Sequence, residues 1–262
     1  VIVAGVSATG WNRLVRDPVA KAPPTDDTVV MTNGYTAAQV RAAEKPLLDA
    51  GEPLMQRAAH GLAEEITAVL TNRGTTAGVV LLLVGSGDNG GDALYAGAAL
   101  ASQGHTVRIL TTGTHWHEGG LAAAVAAGAS ADHRDTDPGH AAFEAVTDGV
   151  DVIVDGILGT GTGQDPALRG RARSLVEAIR PSVLMRMTGA PAVVAVDLPS
   201  GIGVDDGSVP DPLVLPALVT VTFGAVKAGL LLEPAAGLSG RIRLIDLGLD
   251  LSEVEPVVST GD

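Results

Sequence analysis

The stretch Val79–Asp92, VVLLLVGSGDNGGD, constrains this chain more than any other, because an unbroken apolar run gives way at once to glycine and carboxylate. Six consecutive apolar residues bounded by glycine predict a strand covered on both faces, the signature of a buried parallel sheet. Gly85, Gly87 and Gly90 follow with the spacing that lets backbone approach a phosphate at a helix N-terminus. The alanine- and leucine-rich Ala93–Ser102 then reads as a helix. Asp88 and Asp92 place negative charge where an ordinary pyrophosphate cradle avoids it, so this is not a standard dinucleotide turn.

From Val79 onward the pattern repeats as strand, loop and helix. Strands are expected at Val79–Val84, Thr106–Thr111, Val152–Asp155, Ala192–Asp197, Leu218–Phe223 and Ile242–Asp246. Helices are expected at Ala93–Ser102, Gly120–Ala127, Pro138–Val146 and Gly170–Ile179. Such alternation predicts an α/β protein of three layers, α/β/α and Rossmann-like, with a mostly parallel central sheet and helices on both faces. Two helices precede the first strand. Thr36-Ala-Ala-Gln39 has the form of a capping box, starting a helix that runs towards Asp49 and stops at Gly51. Leu54, Ala58, Leu62, Ile66 and Val69 recur at helical spacing behind Pro53, giving a second, amphipathic helix. Together the pair is expected to cover one edge of the sheet. Residues 1–30 contain Pro23-Pro24 and Asp26-Asp27 and lack periodicity, so they are read as an extension outside the fold, with Met31 as a natural start. The domain spans 31–250, and 251–262 reads as an acidic tail or linker containing Ser252-Glu-Val-Glu255.

Composition narrows the function classes. A net charge of −13 argues against nucleic acid or an anionic membrane as partner, since both select basic patches. Aromatic content of 2% leaves little for stacking on bases. The chain has no cysteine, which excludes disulfides, thiolate catalysis and thiolate metal sites and fits a cytoplasmic location. No apolar run approaches the roughly 20 residues of a membrane span. His115-x-His117 has no further ligands nearby and reads as surface loop.

Ligands of open parallel sheets bind at the carboxyl ends of the strands. Three strands here end in unusual loops: Gly85–Asp92, Asp155–Gly163 and Asp197–Gly201. If all three open onto one crevice, Asp88, Asn89, Asp92, Asp155, Asp197 and Ser200 converge. Taken singly, Asp155 and Asp197 would serve as N-caps and Ser200 as turn chemistry. Gly159, Gly161 and Gly163 would relieve backbone strain or embrace a phosphate. The convergence of the set favours a site. A cation held by Asn89, Asp155 and Ser200 would have oxygen ligands only, which selects a hard cation. A nicotinamide dehydrogenase would carry an acid after the second strand, yet Thr106–Thr114 has none and the next acid is Glu118. No Gly-Lys-Ser/Thr follows the loop, which removes the P-loop reading.

Over roughly Tyr35 to Leu249 the chain resembles the NAD(P)H-hydrate epimerases, the YjeF N-terminal domain family. The resemblance is carried by Leu54-Met55, Gly87-Asp-Asn-Gly-Gly-Asp92, Asp155-Gly-Ile-Leu-Gly-Thr-Gly161, Val196-Asp-Leu-Pro-Ser-Gly201 and Thr220–Gly229. It implies an isomerase that binds nicotinamide nucleotides hydrated at ring carbon C6 and interconverts their R and S epimers. A companion ADP- or ATP-dependent dehydratase, fused in some relatives, then restores usable cofactor. It implies substrate segments at Asp88, Asn89, Gly90, Gly91 and Asp92 and at Gly159, Thr160, Gly161, Thr162, Gly163, Gln164 and Asp165. Asp197 would contact substrate and act as the catalytic acid–base. One potassium ion per subunit would be held by Asn89, Asp155 and Ser200, and the protein would be a homodimer. The family often opens its first loop with Asn-Asn where this chain has Asp88-Asn89, a change that bears on phosphate affinity. Lys227 reads as an ion-pair partner ahead of a phosphate contact. The rival from another class is a non-catalytic nucleotide-binding module of the same fold, which would have no need of the acids Asp155 and Asp197.

Overall fold

A computed structural model describes residues 31–131, 136–161, 165–185 and 189–261. The expected extension 1–30 and the candidate residues Thr162, Gly163 and Gln164 lie outside the described residues.

The chain begins with β1 (Met31–Gly34), which the sequence reading did not foresee, and continues into α1 (Ala37–Asp49) and α2 (Leu54–Asn72). The α/β run comprises β2 (Val79–Val84), α3 (Asp88–Ser102), β3 (Thr106–Thr111), α4 (Glu118–Ala126), α5 (Ala141–Thr147), β4 (Val152–Gly156) and α6 (Gly170–Leu184). It ends with β5 (Ala192–Val196), β6 (Val219–Phe223), the short α7 (Ala236–Ser239), β7 (Arg241–Ile245) and β8 (Val258–Gly261). Among the described residues the main sheet has six strands in the order β3-β2-β4-β5-β6-β7, with every pairing parallel.

The apolar strands divide their side chains between two helical layers, as period-two geometry dictates. Val80, Leu82 and Val84 of β2 join Leu62, Ile66 and Leu70 of α2 and Leu94 and Leu100 of α3 in one core. Leu81 and Leu83 point the other way, to Phe143 of α5 and Leu175, Val176 and Ile179 of α6. The three-layer α/β/α arrangement follows directly. Leu62 and Ile66 are fully buried, and burying each such side chain stabilises the fold by about 1.5–3 kcal/mol.

Several boundaries depart from expectation. α2 lies against α3 and over β5, β6 and the edge strand β7, where Glu65 pairs with Arg241 and Arg243, because its apolar stripe needs the breadth of a face to bury it. α3 begins at Asp88, five residues before the expected helix, so the glycine loop is already its first turn. α5 begins only after Gly139, whose φ of +92° turns the chain out of helical geometry. Strand ends shift by a single residue. The segment read as a tail from 251 is tied back, since β8 pairs antiparallel with β1 from Met31↔Gly261 to Gly34↔Val258.

The order of the main sheet carries the functional consequence. After β2 the chain moves outward to β3, then crosses back to place β4 on the opposite side of β2. The loops leaving β2 and β4 therefore diverge and open a crevice between them, the place where ligands bind in such sheets.

Candidate functional site

α3 owes its early start to two glycines packed as backbone against backbone. A Cβ at Gly90 would fall 2.1 Å from the carbonyl oxygen of Gly85. Gly85 itself lies against Ile157, where an added Cβ would be 1.8 Å from the carbonyl oxygen. The first turn of α3 is thus drawn down between the ends of β2 and β4. Its free N–H groups and positive pole face the crevice, offsetting the exposed carboxylate of Asp88.

Asn89, Asp155 and Ser200 form one contiguous cluster. Ser200 Oγ donates to Asp155 Oδ1 at 2.6 Å and Ser200 N donates to Asp155 Oδ2 at 2.9 Å. Leu158 N donates to Ser200 Oγ at 2.9 Å, while the Leu158 carbonyl accepts from Asn89 Nδ2 at 3.0 Å. The same amide nitrogen donates to the Val196 carbonyl at 2.6 Å, which pins α3 to the end of β5. The opposite face of Asn89 meets Gly159, where an added Cβ would lie 2.2 Å from Oδ1. Asp155 is 1% exposed and has no basic side chain paired with it among the described residues. Burial raises its pKa against the opposing hydrogen bonds from Ser200 and Ile157. The donor set is all oxygen, includes a buried uncompensated carboxylate, and so matches a hard monovalent or divalent cation. Neither Asp155 nor Asp197 caps a helix; Asp155 lies inside β4 and Asp197 directly after β5.

Asp197 anchors a second group. Its backbone has φ +66°, a conformation rare outside glycine, held by Asp197 N donating to the Val221 carbonyl at 2.7 Å. Oδ1 accepts from Lys227 Nζ at 2.5 Å, Thr222 Oγ1 at 3.0 Å and the Phe223 N–H at 3.3 Å. Lys227 is 2% exposed, and its ammonium also donates to the Phe223 carbonyl at 2.7 Å and to Thr222 Oγ1 at 3.3 Å. Three acceptors saturate this lysine, so it serves as the partner of Asp197 and is not offered to a phosphate. Oδ2 of Asp197 accepts no hydrogen bond among the described residues. Asp92, 6% exposed, accepts none with either oxygen among the described residues, and its pKa is pushed well above the usual carboxylate range. Burial is the main cause, with the charges of Asp197 and Asp88 adding to it and Lys227 opposing.

α1 supplies two residues that the sequence reading missed. Arg41 donates to the Thr160 carbonyl at 3.1 Å, tying α1 to the segment 159–161. Glu44 is half-buried and its pKa is raised, chiefly by burial and also by Asp197 and Asp88, against Lys227 and Arg41. A carboxylate on the stripe Ala37, Val40, Glu44, Leu47 was the available signal.

Ser86, Gly87, Asp88 and Asn89 on one side and Ile157–Gly161 on the other line a cleft of about 340 Å³. A neighbouring hollow of about 300 Å³ shares Ser86, Ile157 and Leu158 and extends to Asp165 and Arg169. Asp165 is exposed there and paired with Arg169, with the Ala167 N–H holding its carboxyl below the usual range. Gly91 is packed against Met55 and His117 and contributes backbone shape alone. His117 caps α4 by accepting from Gly120 N at 2.9 Å, and His115 contacts Thr114. Among the described residues no group of three His, Cys, Asp or Glu is placed to hold a metal.

Comparison with known proteins agrees with this architecture. The NAD(P)H-hydrate epimerase of Clavibacter michiganensis is 51% identical over 88% of this chain and 97% of its own length. A bifunctional NAD(P)H-hydrate repair enzyme of Mycobacterium tuberculosis is 39% identical over 86% of this chain, which corresponds to 43% of that longer protein. A yeast protein of known crystal structure shares the fold with a TM-score of 0.62 at 19% identity, covering 75% of this chain and 82% of that one. Residues 51–229 match the family described as YjeF-related protein N-terminus, and they contain the crevice loops and both buried acid groups, so the chain belongs to that family.

Proposed function

We propose that this chain is an NAD(P)H-hydrate epimerase, an isomerase that interconverts the R and S epimers of NADH or NADPH hydrated at C6. The observation that carries the reading is Asp197. This buried carboxylate, held in a strained backbone by Lys227 and Thr222, keeps one oxygen without a hydrogen bond among the described residues at the ends of the strands. A pure binding module has no use for such an acid. The hydrate is a carbinolamine, with a hydroxyl on the carbon beside the ring nitrogen. Its configuration is lost either by expelling water or by opening the ring, and both routes need a positioned proton donor and acceptor.

In this reading the crevice between the first turn of α3 and Gly159–Gly161 receives the nucleotide. Asn89, Asp155 and Ser200 hold one potassium ion, which supplies positive charge that offsets the carboxylates and fixes the loops that carry them. The product S epimer passes to a dehydratase, in keeping with the bifunctional repair enzymes among the relatives. The assembly is a homodimer. Its contact surface is the groove of about 700 Å³ beside the open edge of β7, which exposes Met31 and Leu244.

The test is chromatographic. Epimer-pure hydrate incubated with the protein in potassium buffer is expected to reach an R/S mixture, and more slowly when tetramethylammonium replaces potassium. Asp197→Asn is expected to lower the rate on the order of 100-fold or more. An unchanged R/S ratio with unaltered protein would leave the nucleotide-binding module as the better reading.

A further inference from the structure

We infer that the proton donor of this reaction is Asp92, working with Asp197 as the proton acceptor. The inference rests on the epimerase reading and divides between two residues the work that the family resemblance gives to one.

The geometry begins with α3. Asn89 Nδ2 reaches the Val196 carbonyl at 2.6 Å, so the face of α3 that carries Asn89 is pressed against the residue immediately before Asp197. Asp92 lies three positions further along, hence on that same face of the helix. Asp92 thus lies on the side of α3 turned towards the end of β5, close enough for the charge of Asp197 to act on it. Their surroundings differ in kind. Asp197 receives an ammonium, a hydroxyl and a backbone N–H on one oxygen and keeps the other free of hydrogen bonds among the described residues. Asp92 has burial as deep and no hydrogen bond or ion pair among the described residues.

Four charged groups act on Asp92. Asp197 follows β5, Lys227 follows β6, Asp88 shares α3, and Glu44 projects from α1. Three of the four are acidic, and Lys227 is already engaged by Asp197. A second negative charge at Asp92 is thus opposed by both solvation and neighbours, and the raised pKa of this group follows. A carboxyl that keeps its proton, set beside a salt-bridged carboxylate with one oxygen free, makes a donor and an acceptor.

The step balances with these two groups and water. Asp92 gives its proton to the C6 hydroxyl; the C–O bond breaks and its electron pair departs with the water molecule. The lone pair of the ring nitrogen becomes the second bond of an N=C iminium. Water then adds to the opposite face of C6, the electrons of the N=C bond return to nitrogen, and the surplus proton passes to the Asp197 carboxylate. One proton has been given and one received, and exchange between the two carboxyl groups restores the starting state.

The unaltered protein and two variants test the assignment. Activity requires Asp92 protonated, so the rate of the unaltered protein should fall as pH rises through the raised pKa of that group. The alkaline fall reports Asp92. Asp92→Asn is isosteric and uncharged, as the working form of Asp92 is; it should lower kcat on the order of 100-fold or more, leave KM within about threefold and abolish the alkaline fall. Asp92→Glu should keep that fall and recover part of the rate. If the unaltered protein converts the epimers while Asp92→Asn keeps both rate and pH profile, the inference is overturned. It is equally overturned if Asp92→Asn raises KM alone, which would make Asp92 a binding residue. Should Asp92→Asn fail to fold, an alkaline fall present in both the unaltered protein and Asp92→Glu supports the assignment, and a flat alkaline profile in the unaltered protein refutes it. No conversion by the unaltered protein would instead count against the epimerase reading itself.

Discussion

Lys227 and Asp197 are withdrawn from water together, and such pairs are costly to break from one side. Removing one partner strands the other as an uncompensated buried charge, typically at about 3–5 kcal/mol. Lys227→Met should therefore lower the unfolding free energy by about that amount, and Asp197→Asn should cost much less when made in the Lys227→Met background. Denaturant titration of both single variants and the double one checks this. A simple sum of the two costs would mean that the pair contributes nothing jointly. The same cycle keeps the activity test of Asp197→Asn interpretable, because it separates loss of the proton acceptor from loss of the fold. Lys227 stood in the sequence as an ion-pair candidate, whereas Asp197 in left-handed backbone did not, since nothing in Val-Asp-Leu-Pro-Ser reveals a φ of +66°.

The elements behave as their patterns dictate wherever the pattern is strong. Val79–Val84 and Ala192–Val196 were legible because a strand covered on both faces has no polar position to blur it. α1 was legible from its capping box, with Gln39 N donating to Thr36 Oγ1 at 3.2 Å and Thr36 N donating to Gln39 Oε1 at 2.8 Å. The start of α3 was hidden, because Asp-Asn-Gly-Gly contains weak helix formers and tertiary contact overrides them. β1 and β8 were hidden for a related reason: four residues each are too short for alternation to register. Of the site, the acids and the oxygen cluster were visible as loop residues, but Arg41 and Glu44 were not, since they belong to a helix read only for its cap. That helix now has a functional consequence. Thr36→Ala should cost about 1 kcal/mol and fray the turn before Arg41, raising KM for the hydrate severalfold with kcat little changed. Paired melting curves and steady-state rates decide it; an unchanged KM would detach α1 from the crevice.

At the scale of the whole molecule, the crossing between β3 and β4 fixes where the crevice lies, and the side of β7 left unpaired among the described residues is where the proposed second copy would approach. An open strand edge with exposed Leu244 beside exposed Met31 is a surface that folded proteins usually cover. Sedimentation should give twice the chain mass of 26.3 kDa, and Leu244→Glu should return the monomer without abolishing the fold. A monomer at micromolar concentration would remove β7 as the contact. The clasp between β1 and β8 has its own implication. Met31 stands across from Gly261, so the first and last described residues are held side by side like the two halves of a buckle. Whatever sequence precedes the one or follows the other must leave from a single anchorage, and domains tethered at opposite ends of the chain would hang from the same spot.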